Sequence, residues 1–322
     1  MKIIFNLQYG AAFGEQLAVN MIGGNGATDT YDMVSNNGYN WTCELNWAGK
    51  PGAVIDYYYS VRRNTEVVRH EWLVEPHRLE LASEKGLRYV LYDHWLDIPD
   101  DAYMYSSAFT DCIMARDRQL SSTNEFQRTV RLKVRAPQLR QNQRLALVGA
   151  PLYLGGWDVG KALLMTEHES HEWVVSLDGD RLPGRFEFKF IIVTSVGATH
   201  DATVAEAMED APKEWETGGN RFIELPSVGV QRGDVFVYEL PQASFAVYPW
   251  KGAGTVIPIF SLRSEGSFGV GDFGDLKLMV DWCAKTGQRV LQVLPINDTN
   301  STGNWQDSYP YNSISIYALH PQ

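Results

Sequence analysis

The chain repeats itself at an interval of about 131 residues, and this repeat limits the possible folds more than any other feature. The segment Trp-Thr-Cys-Glu-Leu at residues 41–45 returns as Trp-Val-Val-Ser-Leu at residues 173–177. Likewise, Asp-Tyr-Tyr-Tyr at residues 56–59 returns as Glu-Phe-Lys-Phe at residues 187–190. Matches that keep their order along the chain indicate two copies of one domain.

Both copies have the pattern of short antiparallel strands. Apolar and polar residues alternate at residues 131–136 and 185–193, and clusters of Gly, Asn and Pro separate such runs. This alternation is typical of half-buried strands, and several of them in about 120 residues favour an immunoglobulin-like β-sandwich. A polar stretch at residues 121–125 is the predicted linker. The predicted domains are therefore residues 1–125 and 129–244 of a mainly β protein.

A different pattern begins at residue 245. Residues 255–260 form a continuous apolar run, residues 275–287 have the spacing of an amphipathic helix that ends at a glycine, and residues 289–296 form a second apolar run. Apolar strands on either side of a helix predict a β-α-β unit with parallel strands. Because one such unit cannot cover its own strands, residues 245–322 are expected to be an incomplete domain.

The charge balance limits the classes of partner. The chain has 28 Lys and Arg residues against 39 Asp and Glu residues, a formal net charge of −11. This balance argues against nucleic acid or an anionic membrane as the partner and favours a neutral ligand or another protein. Three widely separated Cys residues predict free thiols in a reducing compartment. We therefore expect a cytoplasmic protein, whose oligomeric state stays open.

The second copy carries four motifs that contain prominent aromatic residues. Trp157 lies in a Gly-rich turn and Trp215 in a polar loop, so both indoles are expected to be exposed. Trp173 alternates inward along its strand, which favours core packing. The motifs are Leu-Gly-Gly-Trp at 154–157, Trp173, Glu-Phe-Lys-Phe at 187–190 and Trp-Glu-Thr-Gly-Gly-Asn-Arg at 215–221.

These motifs resemble, in the same order, those of the starch-binding carbohydrate-binding modules of family 20. The resemblance implies that Trp157 and Trp215 form a platform on which glucose rings stack. It also implies hydrogen bonds to sugar hydroxyls from Lys189 and Asn220, with Glu216 nearby. An α-glucan is neutral and has apolar C–H faces between its hydroxyl groups, so flat indoles and polar side chains suit it. The alternative, in which both indoles only cap the sandwich, stays open.

The first copy diverges from these motifs. Its Glu-Trp pair at residues 71–72 aligns Trp72 with Trp215, and His77 then aligns with Asn220. A Leu-Gly-x-Trp segment is missing from this copy. One platform Trp and altered hydrogen-bonding groups are compatible with sugar binding through Trp72 and His77, and equally with a spacer role.

A glycine-rich motif in the last part of the chain has two interpretations. Residues 269–274 match the dinucleotide-binding pattern Gly-x-Gly-x-x-Gly. However, eight residues separate them from the preceding apolar run, and Asp272 and Asp275 stand at the predicted helix start, where they would repel a phosphate. A nucleotide-dependent oxidoreductase is therefore disfavoured.

The same region contains three further motifs: Ile-Pro-Ile-Phe-Ser-Leu-Arg at 257–263, Leu-Gln-Val-Leu-Pro-Ile at 291–296 and Asp-Ser-Tyr-Pro-Tyr-Asn-Ser at 307–313. Together they resemble the opening of the catalytic barrel of glycoside hydrolase family 77, the 4-α-glucanotransferases. The resemblance implies that residues 245–322 begin a (β/α)8 barrel and that Tyr311 lies beside the sugar at the cleavage point. Retaining transfer needs two carboxylates, which in such barrels stand on later strands, so no residue here is named catalytic.

These features predict the N-terminal α-glucan-binding region of a 4-α-glucanotransferase. Two starch-binding modules would hold starch, glycogen or maltooligosaccharide beside a barrel that transfers α-1,4-glucan segments by retaining double displacement. Neither a metal nor an organic cofactor is expected for this chemistry. The alternatives are a stand-alone, non-catalytic glucan-binding protein and the nucleotide-dependent oxidoreductase.

Overall fold

The protein divides into two compact units, Met1–Val247 and Tyr248–Gln322. As the alternating pattern predicted, it is mainly β. The predicted linker at residues 121–125 lies outside the described residues, and no helix in the described part is long and apolar enough to cross a membrane. The structure is a computed structural model that describes residues 1–24, 26–82, 86–114, 126–140, 142–168, 171–194, 214–246 and 251–319.

The first half of the larger unit consists of short strands followed by two short helices. The helices are a 3-10 helix at Ala102–Tyr105 and a π-helix at Ala108–Met114. The strands are β1 (Lys2–Gln8), β2 (Glu15–Ile22), β3 (Thr28–Asp32), β4 (Asn40–Asn46), β5 (Val54–Arg63), β6 (Glu66–His70), β7 (His77–Glu80) and β8 (Arg88–His94).

The second half repeats this arrangement with more turns. Its 3-10 helices lie at Leu152–Leu154, Val159–Lys161 and Gly179–Arg181. Its strands are β9 (Arg128–Arg135), β10 (Gln143–Gly149), β11 (Leu163–Leu164), β12 (Thr166–Glu167), β13 (Glu172–Asp178), β14 (Arg185–Thr194), β15 (Glu214–Trp215), β16 (Arg221–Glu224) and β17 (Asp234–Leu240).

One seven-stranded sheet in the larger unit contains strands of both halves. Its order is β12-β13-β9-β17-β8-β1-β4. The halves meet at β8 and β17, which pair in parallel from Arg88↔Asp234 to Tyr92↔Tyr238. Each half also has a five-stranded sheet of its own. These sheets are β3-β2-β5-β6 with β7 on β5, and β11-β10-β14-β15 with β16 on β14.

Two hydrophobic cores lie on opposite faces of the seven-stranded sheet. On β17, Val235 and Val237 belong to the core of the first half. The alternate residues Phe236 and Tyr238 belong to the core of the second half. Successive side chains of a strand point to opposite faces, so each five-stranded sheet packs on its own side of the shared sheet. The two halves are therefore joined by a continuous sheet, while the predicted boundaries at residues 125 and 129 stay a prediction.

Charged residues are buried where the two halves meet. The fully buried His77 of β7 has its Nδ1 2.9 Å from Glu239 of β17 and its Nε2 3.1 Å from Glu71. Glu239 also lies 3.3 Å from the Arg135 guanidinium and 3.6 Å from the Lys133 amino group. Burial alone would lower the pKa of His77, but Glu71 and Glu239 outweigh it and raise that pKa to about 10. His77 is therefore an imidazolium at neutral pH.

One group of three possible metal ligands occurs in the described part of the chain: His77, Asp93 and Glu239, with ligand atoms within 4.8 Å of one another. Both imidazole nitrogens of His77 already face carboxylates. The Asp93 carboxylate accepts hydrogen bonds from the Tyr57 and Tyr59 hydroxyls at 2.8 and 2.7 Å. These contacts fit a network of ion pairs and hydrogen bonds better than a metal site.

We expect the melting temperature of the larger unit to fall as the pH rises from about 7 to 10. Folded His77 keeps its proton up to about pH 10, whereas an unfolded histidine loses it near pH 6.5. His77 therefore stabilises the fold fully below pH 6.5, and this contribution is lost as the pH rises through the folded pKa. Thermal melts of the wild type and of His77→Gln across this range check the assignment. The variant should show the flatter dependence, and equal slopes would contradict it.

The smaller unit contains the predicted parallel β-α-β arrangement. Its first and last strands pair in parallel from Gly254↔Val290 to Ile257↔Val293. The Asp272 carboxylate caps the helix by accepting a hydrogen bond from the Asp275 N–H at 3.1 Å. The Asp275 carboxylate in turn accepts one from the Asp272 N–H at 3.0 Å. This capping box satisfies amides of the first turn. The elements are β18 (Gly254–Ile257), a 3-10 helix at Ile259–Ser261, α1 (Phe273–Lys285), β19 (Val290–Val293) and a 3-10 helix at Trp305–Ser308.

Candidate functional site

The candidate site lies on the outer face of the five-stranded sheet of the second half. Along β14 the Phe side chains fill the core, and the intervening positions face outward. Four apolar residues of this outer face are nevertheless buried, and Trp157 packs against their cluster, so its indole is half-buried and less exposed than predicted. They are Ala146 and Val148 of β10 and Ile191 and Val193 of β14. An apolar base of this kind fixes the position of an indole ring.

A strained turn presents Trp157. Gly155, Gly156 and Trp157 follow one another in left-handed conformation, with φ of 89°, 59° and 66°. Glycine adopts such angles freely, but a bulky residue does so at a cost of roughly 1–3 kcal/mol. The Trp157 N–H donates to the Gly149 carbonyl at 2.9 Å and so holds the turn on β10. Backbone strain of this kind clusters at ligand-binding sites.

Trp215 and Lys189 lie on the same outer face as Trp157. Trp215 of β15 pairs with Ile191 of β14, and its side chain is 40% exposed, as predicted. The Lys189 amino group donates to the carbonyls of Glu216 and Gly218 at 2.9 and 2.8 Å. An ammonium group has three N–H donors, so these two bonds leave a third for a ligand. Lys189 thus holds the loop after Trp215 and can still donate to a sugar hydroxyl.

A buried carboxylate fixes the loop that follows Trp215. Glu216 is buried, and its two oxygens accept from the Arg221 Nε–H at 2.9 and 3.0 Å. Glu216 therefore positions the loop instead of facing the ligand. The exposed Asn220 donates to Glu187 at 3.2 Å, and its remaining amide groups can serve a ligand. Arg221 also belongs to the sequence motif, but an interval of five residues from Glu216 does not by itself indicate an ion pair, so the sequence alone gives no signal of this contact.

The pairing of strands corrects the alignment of the first copy. On β5, Ser60 pairs with His70. On β14, 131 residues further along, Ile191 pairs with Trp215. The counterpart of Trp215 is therefore His70, and the prediction that Trp72 takes this place is wrong. The half-buried Trp72 ring instead packs edge-on against Tyr105, with centroids 5.2 Å apart.

His77 takes the place of Arg221, not that of Asn220. It pairs with Glu71 as Arg221 pairs with Glu216. The interval between the paired residues is six in the first copy and five in the second, so the first copy has one additional loop residue here. Because His77 is fully buried, the prediction that it contacts a sugar is wrong.

The outer face of the first copy also differs in chemistry. Asn20 of β2 donates to the Ser60 hydroxyl at 2.8 Å and accepts from the Thr30 hydroxyl at 2.9 Å. These polar side chains stand where the second copy has the apolar base under Trp157. The first copy therefore does not reproduce the candidate site on its corresponding face.

Two further predicted residues lie elsewhere. Trp173 is buried in the core of the second half, as its alternation predicted. Tyr311 belongs to the smaller unit, where its exposed ring lies 5.4 Å from that of Tyr309. A cavity of about 200 Å³ near the ends of β18 and β19 is lined by residues that include Asp272 and Pro310. A contact between Tyr311 and a sugar stays a prediction.

Two protein families match separate parts of the chain. Residues 127–233 match the starch binding domain family, and residues 257–322 match the glycoside hydrolase family 77 of 4-alpha-glucanotransferases. Both resemblances predicted from the motifs are therefore confirmed for these ranges.

Particular relatives cover the chain to different extents. The 4-alpha-glucanotransferase DPE2 of Oryza sativa subsp. japonica is 28% identical over 341 aligned residues, which include 100% of this chain and 34% of the relative. A 4-alpha-glucanotransferase of Chlamydia trachomatis is 52% identical over 68 residues, 21% of this chain and 12% of the relative. The chain thus spans about a third or less of the length of these relatives.

Among solved structures, one similar chain is the family 20 module of a maltotetraose-forming amylase from Pseudomonas saccharophila. It superposes with a TM-score of 0.25 and 18% identity, and the superposition covers 35% of this chain and 99% of the module.

Proposed function

We propose that this chain is the α-glucan-binding N-terminal region of a 4-α-glucanotransferase. The observation that carries the proposal is the common outer face of Trp157 and Trp215, on which the Lys189 ammonium also lies. Flat apolar rings suit the C–H faces of glucose, and nearby ammonium and amide donors suit its hydroxyls. The match of residues 127–233 to starch-binding domains supports the same ligand.

The smaller unit supports the catalytic part of the proposal. Parallel β-α-β units build (β/α)8 barrels, whose active sites lie at the C-terminal ends of the strands. The cavity that Asp272 and Pro310 line stands at these ends, and Tyr311 is the next residue in the chain. In retaining transfer one carboxylate forms a covalent glycosyl intermediate and a second acts as acid and then base. We assign neither role to a residue of this chain.

In this proposal residues 1–125 and 129–244 are immunoglobulin-like sandwiches of the family 20 type, and residues 245–322 begin the barrel. The sandwiches hold the polymer and so raise the concentration of glucan near the active site. The reaction needs neither a metal nor an organic cofactor, and we expect it to take place in the cytoplasm.

The glycine-rich loop at residues 269–274 does not favour a nucleotide. A pyrophosphate would bind the free amides at the N-terminus of α1. The Asp272 carboxylate already accepts from the N–H groups of Gly274 and Asp275 at 2.7 and 3.1 Å. Both the occupied amides and the negative charge oppose a phosphate, so the oxidoreductase interpretation gains no support.

Retention on insoluble starch tests the binding part of the proposal. We expect the full chain to sediment with starch granules and to be released by maltoheptaose, which has the same α-1,4 linkages. Cellohexaose is the control, because its β-linked glucose units present similar hydroxyls in a different geometry. A chain that does not sediment with starch, or that both sugars release equally, would contradict the proposal.

A further inference from the structure

An open groove of about 960 Å³ lies where the two halves of the larger unit meet. We call it the junction groove. Residues of β1, β4, β8 and β17 form its floor on the seven-stranded sheet, and residues 34–37 and β16 border it. The groove is distinct from the outer face described above, because neither Trp157 nor Trp215 lines it.

Polar and aromatic side chains form two rows across the floor, set by the register of the strands. The first row is Thr42, Asn6, Tyr92 and Tyr238. The second row is Asn40, Gln8 and His94. Neighbouring strands lie about 4.8 Å apart, so the three gaps of the first row span roughly 14 Å. This length is sufficient for a short oligosaccharide.

Two exposed aromatic rings border the groove, and two further rings stack on each other in its floor. Tyr92 and Tyr238 stack with centroids 4.7 Å apart and planes inclined by 12°. Phe222 of β16, 62% exposed, and the exposed Tyr39 add rings at the border. Rings beside primary amides are the combination that recognises a sugar, because C–H faces pack on rings while each amide both donates to and accepts from hydroxyls.

The described lining of the junction groove contains two acidic residues and no lysine or arginine. Burial lowers the pKa of His94, whose Nδ1 lies 3.1 Å from the Glu239 carbonyl, so this imidazole is uncharged at neutral pH. The Asp93 carboxylate bonds the hydroxyls of Tyr57 and Tyr59 in the core of the first half. Glu224 is the other acidic residue among the described lining residues. Such a lining suits an uncharged, hydroxyl-rich ligand better than an anion.

The junction groove begins beside the loop of the candidate starch site. β16 follows Asn220 directly, and its residues Phe222 and Glu224 border the groove. Phe222 pairs with Glu187, the carboxylate that accepts the hydrogen bond of Asn220. One edge strand therefore separates the two surfaces, and the exposed Phe222 ring lies between them.

We propose that the junction groove is a further glucan-binding site, occupied by a segment of an α-glucan chain. The identity of the ligand rests on the proposed function, but the residues are different ones. Because strands of both halves form the floor, the first copy has a binding role here even though its corresponding outer face is polar.

Hydrogen–deuterium exchange of the full chain with saturating maltoheptaose tests this proposal. We expect amides of residues 34–42 to exchange at least threefold more slowly with maltoheptaose than without it, and cellohexaose to have no effect. Gln8→Ala/Asn40→Ala removes two exposed amides from the floor and should abolish this protection. Trp157→Ala/Trp215→Ala should keep it at saturation. Thr28→Ala, an exposed polar position on β3, is the matched control and should behave as the wild type.

Two outcomes would overturn the proposal. Protection that persists in Gln8→Ala/Asn40→Ala shows that the groove amides bind nothing, and protection that disappears at saturation in Trp157→Ala/Trp215→Ala shows a remote effect of the other site. Starch retention of the same samples separates the two levels of inference. A wild type that binds starch without protection at residues 34–42 refutes only the groove, whereas a wild type that does not bind starch refutes the proposed function as well.

Discussion

Replacing Trp157 and Trp215 together by alanine is expected to lower the affinity of the chain for maltoheptaose roughly 500- to 1,000-fold and to abolish its retention on starch. Truncation of an aromatic residue at the centre of a binding site typically costs about 2 kcal/mol or more. Two such losses give about 4 kcal/mol, and each 1.4 kcal/mol is about tenfold in affinity. Isothermal titration calorimetry with maltoheptaose measures the change, and the remaining affinity reports the junction groove.

Control variants are needed to distinguish the loss of the aromatic binding surface from the loss of folded structure. Trp157 packs on a buried apolar cluster, so Trp157→Ala also lowers stability, whereas Trp157→Phe keeps a ring on that base. Trp215 is partly exposed on a short strand, and Trp215→Ala should melt near the wild-type temperature. Phe13→Ala removes a fully exposed ring elsewhere and should bind as the wild type does. If the double variant binds maltoheptaose as tightly as Phe13→Ala, the site is placed wrongly.

The turn and loop positions of Trp157 and Trp215 could be predicted because their signals are local. The glycines before Trp157 indicate a turn, and the polar residues around Trp215 argue against a core position for its side chain. The buried role of Glu216 could not be predicted in the same way. Whether a carboxylate faces a ligand or an arginine depends on loop closure, and the Arg221 partner is recognised only once β16 is placed beside β14.

In the first copy, residues that look alike in the sequence do not occupy equivalent positions, because strand register determines which positions are equivalent. Glu71 and Trp72 look like Glu214 and Trp215, yet hydrogen bonding between strands equates Glu71 with Glu216. Both Glu71 and Glu216 accept from the backbone of the central strand of their own sheet. Register is fixed by backbone hydrogen bonds and by which face is buried, and a single additional loop residue conceals it in the sequence.

The shared sheet also leaves no local pattern in the sequence. Arg88 of β8 and Asp234 of β17 are 146 positions apart. Parallel strands are not joined by a hairpin turn, so no turn in the sequence indicates their pairing. The alternation at residues 131–135 predicts that Arg131 and Lys133 face solvent. They are instead buried, and the Arg131 guanidinium donates to the Glu80 carbonyl of the first half at 3.0 Å. A face that is polar in one copy is thus covered by the other.

Glu239→Leu is expected to lower the melting temperature of the larger unit by roughly 10 °C, because breaking a buried ion pair costs about 3–5 kcal/mol. The carboxylate is the common partner of His77, Lys133 and Arg135. Burial alone would raise the pKa of Glu239, but these three cations hold it well below its usual range. Its removal leaves buried positive charges without their shared partner.

The effect of Glu239→Leu should extend to both halves. Glu239 belongs to the second half and His77 to the first, and the parallel pairing of β8 with β17 makes one sheet of the two. We therefore expect the wild-type larger unit to unfold in one transition. Circular dichroism, which follows the strands, and tryptophan fluorescence, which follows the packing, should give the same midpoint.

Glu44→Leu is the matched control for Glu239→Leu. Glu44 pairs with Lys2 at 2.6 Å on the same sheet, but both side chains are exposed. Exposed pairs contribute about 0–1 kcal/mol, so this variant should melt near the wild-type temperature. Glu239→Gln keeps the shape and a hydrogen-bond acceptor but not the charge, so its melting temperature should lie between those of Glu239→Leu and Glu44→Leu. If Glu239→Leu and Glu44→Leu have the same melting temperature, the buried charges contribute little to stability and strand pairing alone joins the halves.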